Sequence, residues 1–484
     1  MTSTVPLGDE EVAPSSGLLS TGRSRPSPGL FWPSLLASVI LALGAWLRCY
    51  EIAYNFDHDE VFSVEIARQP FFTAVRRSLA DRSHPPLHYL SLWAWVHLAG
   101  TSEAWVRVPN IVISLTALHL LWRLALRLMN AWFALLPVFL CAVSPFFVFY
   151  GEEARPYALA QLFATLSLYC LVRTWDEPGT WRWPAAYGLS CLALLYTQYL
   201  GALLVGSQLL VGMLLPRLTR ARLLVAGTLG CAAVVPWMLA AALYRGSDAL
   251  PWVPVWIDTP NRLGLFELYA GFFGTFDTAG TTRLLLLATV LAGAAALYRW
   301  LSLLTWPVGV VVASAAAPPL IAFSVSLLGS VSIWAPRHLI GSAVAIMVVL
   351  GILLDRSPTF AGWPLAIAFS LWSLLTSPNS APDISKPPYR ALASELARES
   401  QVLLGLEEWV VRPLRYYSPI PVRHVREVDS LHASTMILVC RAANCRAWTD
   451  SDGRYDTTLL RSVTWTPKPT PLSTLEVYLL SPKY

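Results

Sequence analysis

Two short segments concentrate carboxyl groups in a chain that has few of them. Phe56-Asp57-His58-Asp59-Glu60 places three acids in four residues, and Tyr150-Gly151-Glu152-Glu153-Ala154-Arg155-Pro156-Tyr157 places two beside an arginine. A carboxylate at such a place serves as a general base or as an oxygen ligand for a divalent metal. Arg155 supplies a cation for an anion. Two further motifs are basic. His84-Pro85-Pro86-Leu87 fixes the chain just before an apolar stretch, with a histidine at the height where a phosphate headgroup lies. Ala335-Pro336-Arg337-His338 opens a late apolar run, and the arginine fork suits phosphate. Each motif alone also has a plainer account: a solvated loop edge, a polar hairpin cap, a surface histidine, a snorkelling arginine.

The elements that must carry these residues are membrane spans. Only 13% of the 484 residues are charged and 55% are hydrophobic, against about 25% charged in soluble domains. That excludes an ordinary cytosolic enzyme. The 21 Trp, 18 Tyr and 18 Phe exclude a disordered chain, and a net charge of +5 argues against a nucleic-acid binder. Residues 1–29 read as a disordered cytoplasmic tail rather than a signal peptide. From residue 30, uncharged runs predict about eleven transmembrane helices up to residue 377. The stretch His84–Gly100 is apolar but too short to span and reads as an interfacial helix within a first outer loop, 48–106. With that assignment, Arg123, Arg127, Arg173, Arg182, Arg217, Arg220, Arg222, Arg299 and Arg356 all fall in short cytoplasmic loops. Both acidic clusters then share the outer face. The loop Arg245–Arg283 lies on that face too, and its aromatic stretch Trp252–Asp277 reads as an interfacial lid.

Residues 378–484 read as an extracytoplasmic α/β domain. A helix is expected at Tyr389–Ser400 and strands at Gln401–Gly405, Thr435–Cys440 and Thr474–Leu480. The fold expected is therefore an α-helical polytopic membrane protein with a small C-terminal α/β soluble domain. Cys49, Cys141, Cys170, Cys191 and Cys231 lie in or beside spans and are expected to pack as small apolar groups. Cys440 and Cys445 are close enough for a disulfide in an exported compartment.

The order of motifs resembles a known group. Asp59-Glu60, His84-Pro85-Pro86-Leu87, Gly100-Thr101-Ser102-Glu103 with Arg107-Val108-Pro109, and Tyr150 to Leu159 follow one another as in the C-type glycosyltransferase superfamily. The sequence is most similar to the bacterial branch of protein O-mannosyltransferase-like and aminoarabinose/galacturonic acid lipid A transferase-like proteins. The turn Tyr196-Thr197-Gln198-Tyr199 and Pro336-Arg337-His338 also resemble that branch. The resemblance implies transfer of a sugar from a polyprenyl-phosphate carrier to a lipid, glycan or protein acceptor outside the cytoplasm, in a cell inner (plasma) membrane, with inversion at the anomeric carbon. It implies Asp59 as the catalytic acid of the first loop, with Glu60 and Glu153 as further catalytic positions. Arg155, His84 and Arg337 are implied as donor-phosphate partners. The chemistry suits the residue types: a hydroxyl needs a carboxylate to take its proton, and a departing phosphate needs a cation or a metal. Asp59, Glu60, Glu152 and Glu153 are the candidate ligands for a divalent metal. Asp57 is the alternative base if the register slips.

Two other classes fit the composition. A transporter or flippase would carry charges at mid-membrane in repeated halves, whereas these acids lie at loop edges. A membrane scaffold would leave the two acidic clusters apart. Trp409, Tyr416 and Tyr417 either line an acceptor site or pack the core of the C-terminal domain.

Overall fold

The structure, a computed structural model, describes residues 28–252, 257–274, 279–296, 305–380, 386–430, 436–451, 455–464 and 474–482. The tail read at 1–29 lies outside these residues, except for Pro28 and Gly29. So do Trp256 and Asp277 of the loop read as a lid.

The membrane half is a helix bundle. The chain enters it through α1 (Phe31–Cys49), then forms three short helices, α2 (His58–Ala67), α3 (Phe71–Ala80) and α4 (Leu87–Ala99). A long helix, α5 (Glu103–Leu128), is followed by the pair α6 (Leu135–Val143) and α7 (Pro145–Glu152), and then by α8 (Tyr157–Asp176), α9 (Arg182–Leu195) and α10 (Gly201–Gly212). Next come α11 (Arg217–Ala232), α12 (Val235–Leu243), α13 (Gly264–Phe272), α14 (Ala279–Ala296), α15 (Trp306–Leu328), α16 (Ile340–Arg356) and α17 (Thr359–Thr376). The core runs through α5, α6, α8 and α16, where Leu118, Leu124, Leu140, Leu168, Val344 and Val348 are fully buried. Lipid-facing helices differ: α1 exposes Phe31, Trp32 and Val39 to the outside.

Six helices among the described residues are long and apolar enough to cross a membrane: Phe31–Cys49, Glu103–Leu128, Arg217–Leu243, Trp306–Leu328, Pro336–Arg356 and Thr359–Thr376. The expected count of about eleven does not emerge. The run read as one span over Asn130–Gly151 is broken, because Pro145 has no N–H to continue a helix. The halves α6 and α7 meet at 65°. The run Trp183–Pro216 is too long for one helix and was expected to divide near Gln198–Gly201; it does divide, at Tyr196–Leu200, into α9 and α10. Helix α4 has 13 residues, a length of about 20 Å at 1.5 Å per residue, shorter than the hydrocarbon core.

The C-terminal unit contains α18 (Tyr389–Leu396), β1 (Val402–Gly405), α19 (Glu408–Tyr417), β2 (Val422–His424), β3 (Met436–Arg441), α20 (Ala442–Ser451), β4 (Tyr455–Thr464) and β5 (Thr474–Pro482). The strands form one sheet in the order β2-β1-β3-β5-β4. β1 pairs in parallel with both β2 and β3, and β5 runs antiparallel between β3 and β4. Apolar β1 and β3 are buried, as central strands must be. Edge strand β4 alternates half-exposed and exposed positions. Cys440 and Cys445 are joined in a disulfide across the end of β3 and the start of α20. Cys141, Cys170 and Cys191 are buried as expected, but Cys49 at the end of α1 is exposed.

Candidate active site

The first acidic motif divides its residues among three tasks. Asp57 caps α2: its side chain accepts the Glu60 N–H at 2.8 Å, while the Asp57 N–H donates to Glu60 at 3.3 Å. This reciprocal pairing satisfies two donors that a helix start leaves open. Successive residues of a helix point about 100° apart, so Glu60 turns inward as Asp59 turns out. Glu60 is completely buried and meets Arg107 at 2.6 and 2.8 Å, Lys386 at 3.2 Å and the Ala154 N–H at 3.1 Å. Arg107 also donates to the carbonyls of Ile52, Tyr54 and Asn55, which fixes the backbone leading to the motif. The Arg107 and Lys386 charges overcome burial and hold the Glu60 carboxyl well below its ordinary range. Glu60, expected to be catalytic, stands at the centre of an ion network with Arg107 and Lys386.

Asp59 lines a cavity of about 240 Å³ with His84, Arg155 and Arg337 from the membrane half and Trp409 and Arg412 from α19. Burial pushes its carboxyl up, but the neighbouring Arg155 and Arg337 guanidiniums outweigh that and hold it below the usual aspartate range. It is therefore ionised at neutral pH. The Arg155 guanidinium reaches Ser63 Oγ at 3.2 Å, the Asp59 carbonyl at 3.5 Å and the Tyr89 hydroxyl at 3.5 Å. Tyr89 in turn donates to Asp81 at 2.5 Å. His84 lies between the two: Nδ1 faces Asp81 at 3.1 Å and Nε2 faces Arg155 Nη2 at 3.2 Å. A guanidinium has no acceptor, so Nε2 accepts and Nδ1 carries the proton. His84 thus orients Arg155 rather than presenting a second charge.

The second motif reaches this place because of the break at Ser144-Pro145. Arg48, at the end of α1, is fully buried and donates to the carbonyls of Gly44, Ala142, Cys141 and Phe147 and to Ser114 Oγ. The Cys141 and Ala142 carbonyls end α6 and are among the groups that a broken helix leaves without partners. Gly151 is needed for space, since a Cβ there would stand 2.6 Å from Ser114 Oγ and 2.7 Å from Arg48 Nε. Asn110 donates its side-chain amide to the carbonyls of Glu153 and Arg155, which aims Arg155 at the cavity. Glu153 itself does not reach the cavity wall. Burial, reinforced by Asp57 and by Glu60 and Asp59 against the pull of Lys386, raises its carboxyl well above the ordinary range. Among the described residues its Oε2 has no hydrogen-bond partner.

The remaining motifs close around the same point. Leu87 N–H donates to the Tyr196 carbonyl at 3.0 Å, and Gln198 donates to the His338 carbonyl at 3.0 Å. The expected Tyr196–Tyr199 turn therefore ties α4 to the Pro336–His338 segment. Trp409 borders the cavity, whereas Tyr416 and Tyr417 pack against the buried Phe56, Val61 and Val64 of the first loop. The Tyr417 hydroxyl accepts the Phe56 N–H at 2.7 Å and donates to Glu103 at 2.9 Å.

The four acids proposed as metal ligands do not form a metal site. Glu60 and Glu152 both turn toward Lys386, at 3.2 and 3.9 Å. Among the described residues no group of three or more His, Cys, Asp or Glu is placed to hold an ion. Sequence reasoning gave no role to Arg48 or Lys386 and placed Arg107 only within a family-like motif. Isolated charges within or beside apolar runs were the available signal, because such groups are costly unless paired.

Residues 83–240 match the family model described as dolichyl-phosphate-mannose-protein mannosyltransferase. The chain is similar to the apo crystal structure of ArnT from Cupriavidus metallidurans, at 12% identity and a TM-score of 0.59, covering 94% of this chain and 98% of that one. ArnT bound to undecaprenyl phosphate matches at 13% identity and 0.54, covering 93% and 98%. The archaeal oligosaccharyltransferase AglB from Archaeoglobus fulgidus, in complex with an inhibitory peptide and a dolichol-phosphate, matches at 9% identity and 0.54, covering 94% and 74%. No curated protein sequence matches the chain. The chain has the fold of the C-type glycosyltransferase superfamily and resembles its O-mannosyltransferase and ArnT members.

Proposed function

We propose that the protein is an integral membrane glycosyltransferase that moves a sugar from a polyprenyl-phosphate carrier to an acceptor hydroxyl on the extracytoplasmic face of the cell inner (plasma) membrane. One observation carries the reading: the carboxylate residue Asp59 shares a cavity with the arginines Arg155, Arg337 and Arg412. The arginines suit a phosphate, and Arg155 and Arg337 meet the charge that grows on the leaving oxygen. Asp59 takes the proton of the acceptor hydroxyl as its oxygen bonds to the anomeric carbon. The bond from that carbon to the phosphate oxygen breaks on the opposite side, which inverts the configuration. Glu60 and Glu153 act outside this cavity, Glu60 as a positioning residue for the first loop.

Support comes from relatives of the same fold: ArnT and AglB are described with undecaprenyl phosphate and dolichol-phosphate. The contact of the two acidic motifs, Ala154 N–H to Glu60 at 3.1 Å, favours the enzyme over a scaffold. The test is an assay in membranes with labelled polyprenyl-phosphate-linked sugar. Label should pass to an acceptor with inverted configuration. An Asp59→Asn variant that transfers at the parent rate removes Asp59 as the base.

A further inference from the structure

A second cavity, of about 440 Å³, lies beside the first and shares Arg337 with it. Its other walls include Tyr150, Asp258, Asn261, Glu267 and Trp334. The size falls in the roughly 300–1,000 Å³ range of small-molecule sites. The charge of the two cavities differs in sign. The first sets three arginines against Asp59 and Asp81, whereas the second sets Arg337 alone against two carboxylates. Like charges repel, so an anionic carrier phosphate is sorted to the first cavity and turned away from the second.

The walls of the second cavity are tied in place. Ser332 Oγ donates to the Asp258 carbonyl at 2.8 Å and accepts the Trp334 N–H at 3.3 Å, which joins the two sides. Asn261 donates to both Glu267 oxygens, at 3.0 and 3.1 Å, and accepts the Leu263 N–H at 2.6 Å. The Trp334 ring is held edge to face by Phe323 at 5.5 Å, and Tyr150 by Tyr157 at 4.9 Å. Fixed aromatic rings beside carboxylate and amide groups suit a pyranose or furanose. Its C–H face lies on a ring, and its hydroxyls donate to the carboxylates.

We propose that this second cavity binds a neutral, hydroxyl-rich carbohydrate, so that the acceptor is a glycan reaching the reaction centre past Arg337. The acceptor role rests on the transfer reaction proposed above; the binding itself does not.

The experiment uses the full chain in lipid nanodiscs. Saturation-transfer NMR is recorded with the methyl glycosides of mannose, glucose, galactose and arabinofuranose, and undecaprenyl phosphate binding is measured on the same samples. At least one glycoside should receive saturation. Trp334→Ala and the double variant Asp258→Asn with Glu267→Gln should weaken that glycoside at least tenfold, with undecaprenyl phosphate affinity unchanged. Trp334→Phe, which keeps a ring, retains most of the glycoside binding and shows that the alanine effect is not misfolding. The inference is overturned if no glycoside binds the parent, if glycoside binding survives both cavity variants, or if those variants weaken undecaprenyl phosphate instead. Glycoside binding without undecaprenyl phosphate binding leaves this inference standing and removes the donor reading.

Discussion

Asp59 and Glu60 are neighbours in the chain, yet they belong to two different environments. The Glu60 side has every charge answered: Arg107, Lys386 and the Ala154 N–H converge on one carboxylate that is sealed from solvent. The Asp59 side is a cavity with room for a ligand and arginines around it. A buried charge with all its partners in place holds geometry, since any change of state would strand one of them. A charge that faces open volume is available for chemistry. The acid-rich motif is therefore both the anchor and the reagent, separated by a single helical step.

Crossed substitutions test that separation. The largest effect is expected at Asp59→Asn. Sugar transfer should fall by about 10²–10⁴-fold, the usual worth of a general base, while the melting temperature stays near that of the parent. Glu60→Gln should do the reverse. Leaving Arg107 buried without its counter-charge costs about 3–5 kcal/mol, read as loss of folded protein on heating in detergent. If Glu60→Gln instead melts normally and loses only activity, the division between anchor and reagent is wrong. Lys386→Met is milder, because Glu60 keeps Arg107; about 1–3 kcal/mol is expected for the lost buried contacts, again by thermal unfolding.

The smallest effect concerns Asp57. Burial, with Glu60 close by, raises its carboxyl from the ordinary 3.8 to about 6, against the pull of Lys386. A raised acid binds more protons folded than unfolded, so its stabilising contribution is present below about pH 4 and is lost as pH climbs through 6. Asparagine keeps the helix cap without titrating. The melting temperature of Asp57→Asn relative to the parent should therefore rise from pH 4 to pH 6 and level off above. A relative melting temperature that falls over that window would contradict the assignment. The neighbouring His58 ring, lowered to about 4 by burial, titrates in both proteins and cancels in the difference.

Much of the site was legible because its residues announce themselves against an apolar background. Asp59, His84, Arg155 and Arg337 are separated by up to 278 positions in the sequence, and all four border one cavity. The disulfide Cys440–Cys445 and the strands β1, β3 and β5 were legible from local spacing and apolar runs. What was not legible depended on distant partners. Lys386 answers a glutamate 326 residues earlier, and nothing near Lys386 points to Glu60. His84 reads as a cation in sequence, but its partners Asp81 and Arg155 leave Nε2 as an acceptor. The bend inside the run Asn130–Gly151 was not legible from its apolar length, although Pro145 stands within it. Strand β4 carries β-branched Thr457, Thr458, Val463 and Thr464, and its polar edge hid it from a search for apolar runs.

Arg48 has a bearing on how the protein is built. It leaves the ribosome at the end of the first apolar helix, about a hundred residues before the carbonyls of Cys141, Ala142 and Phe147 that will receive it. Until then its charge must remain at the lipid–water boundary, because a lone cation in hydrocarbon is costly. The broken pair α6 and α7 has the complementary need, since its exposed carbonyls have no lipid partner. Each waits for the other, so docking of the first helix and acceptance of the kink become one event in assembly. The bend that aims the second motif is thus secured at the moment the bundle closes.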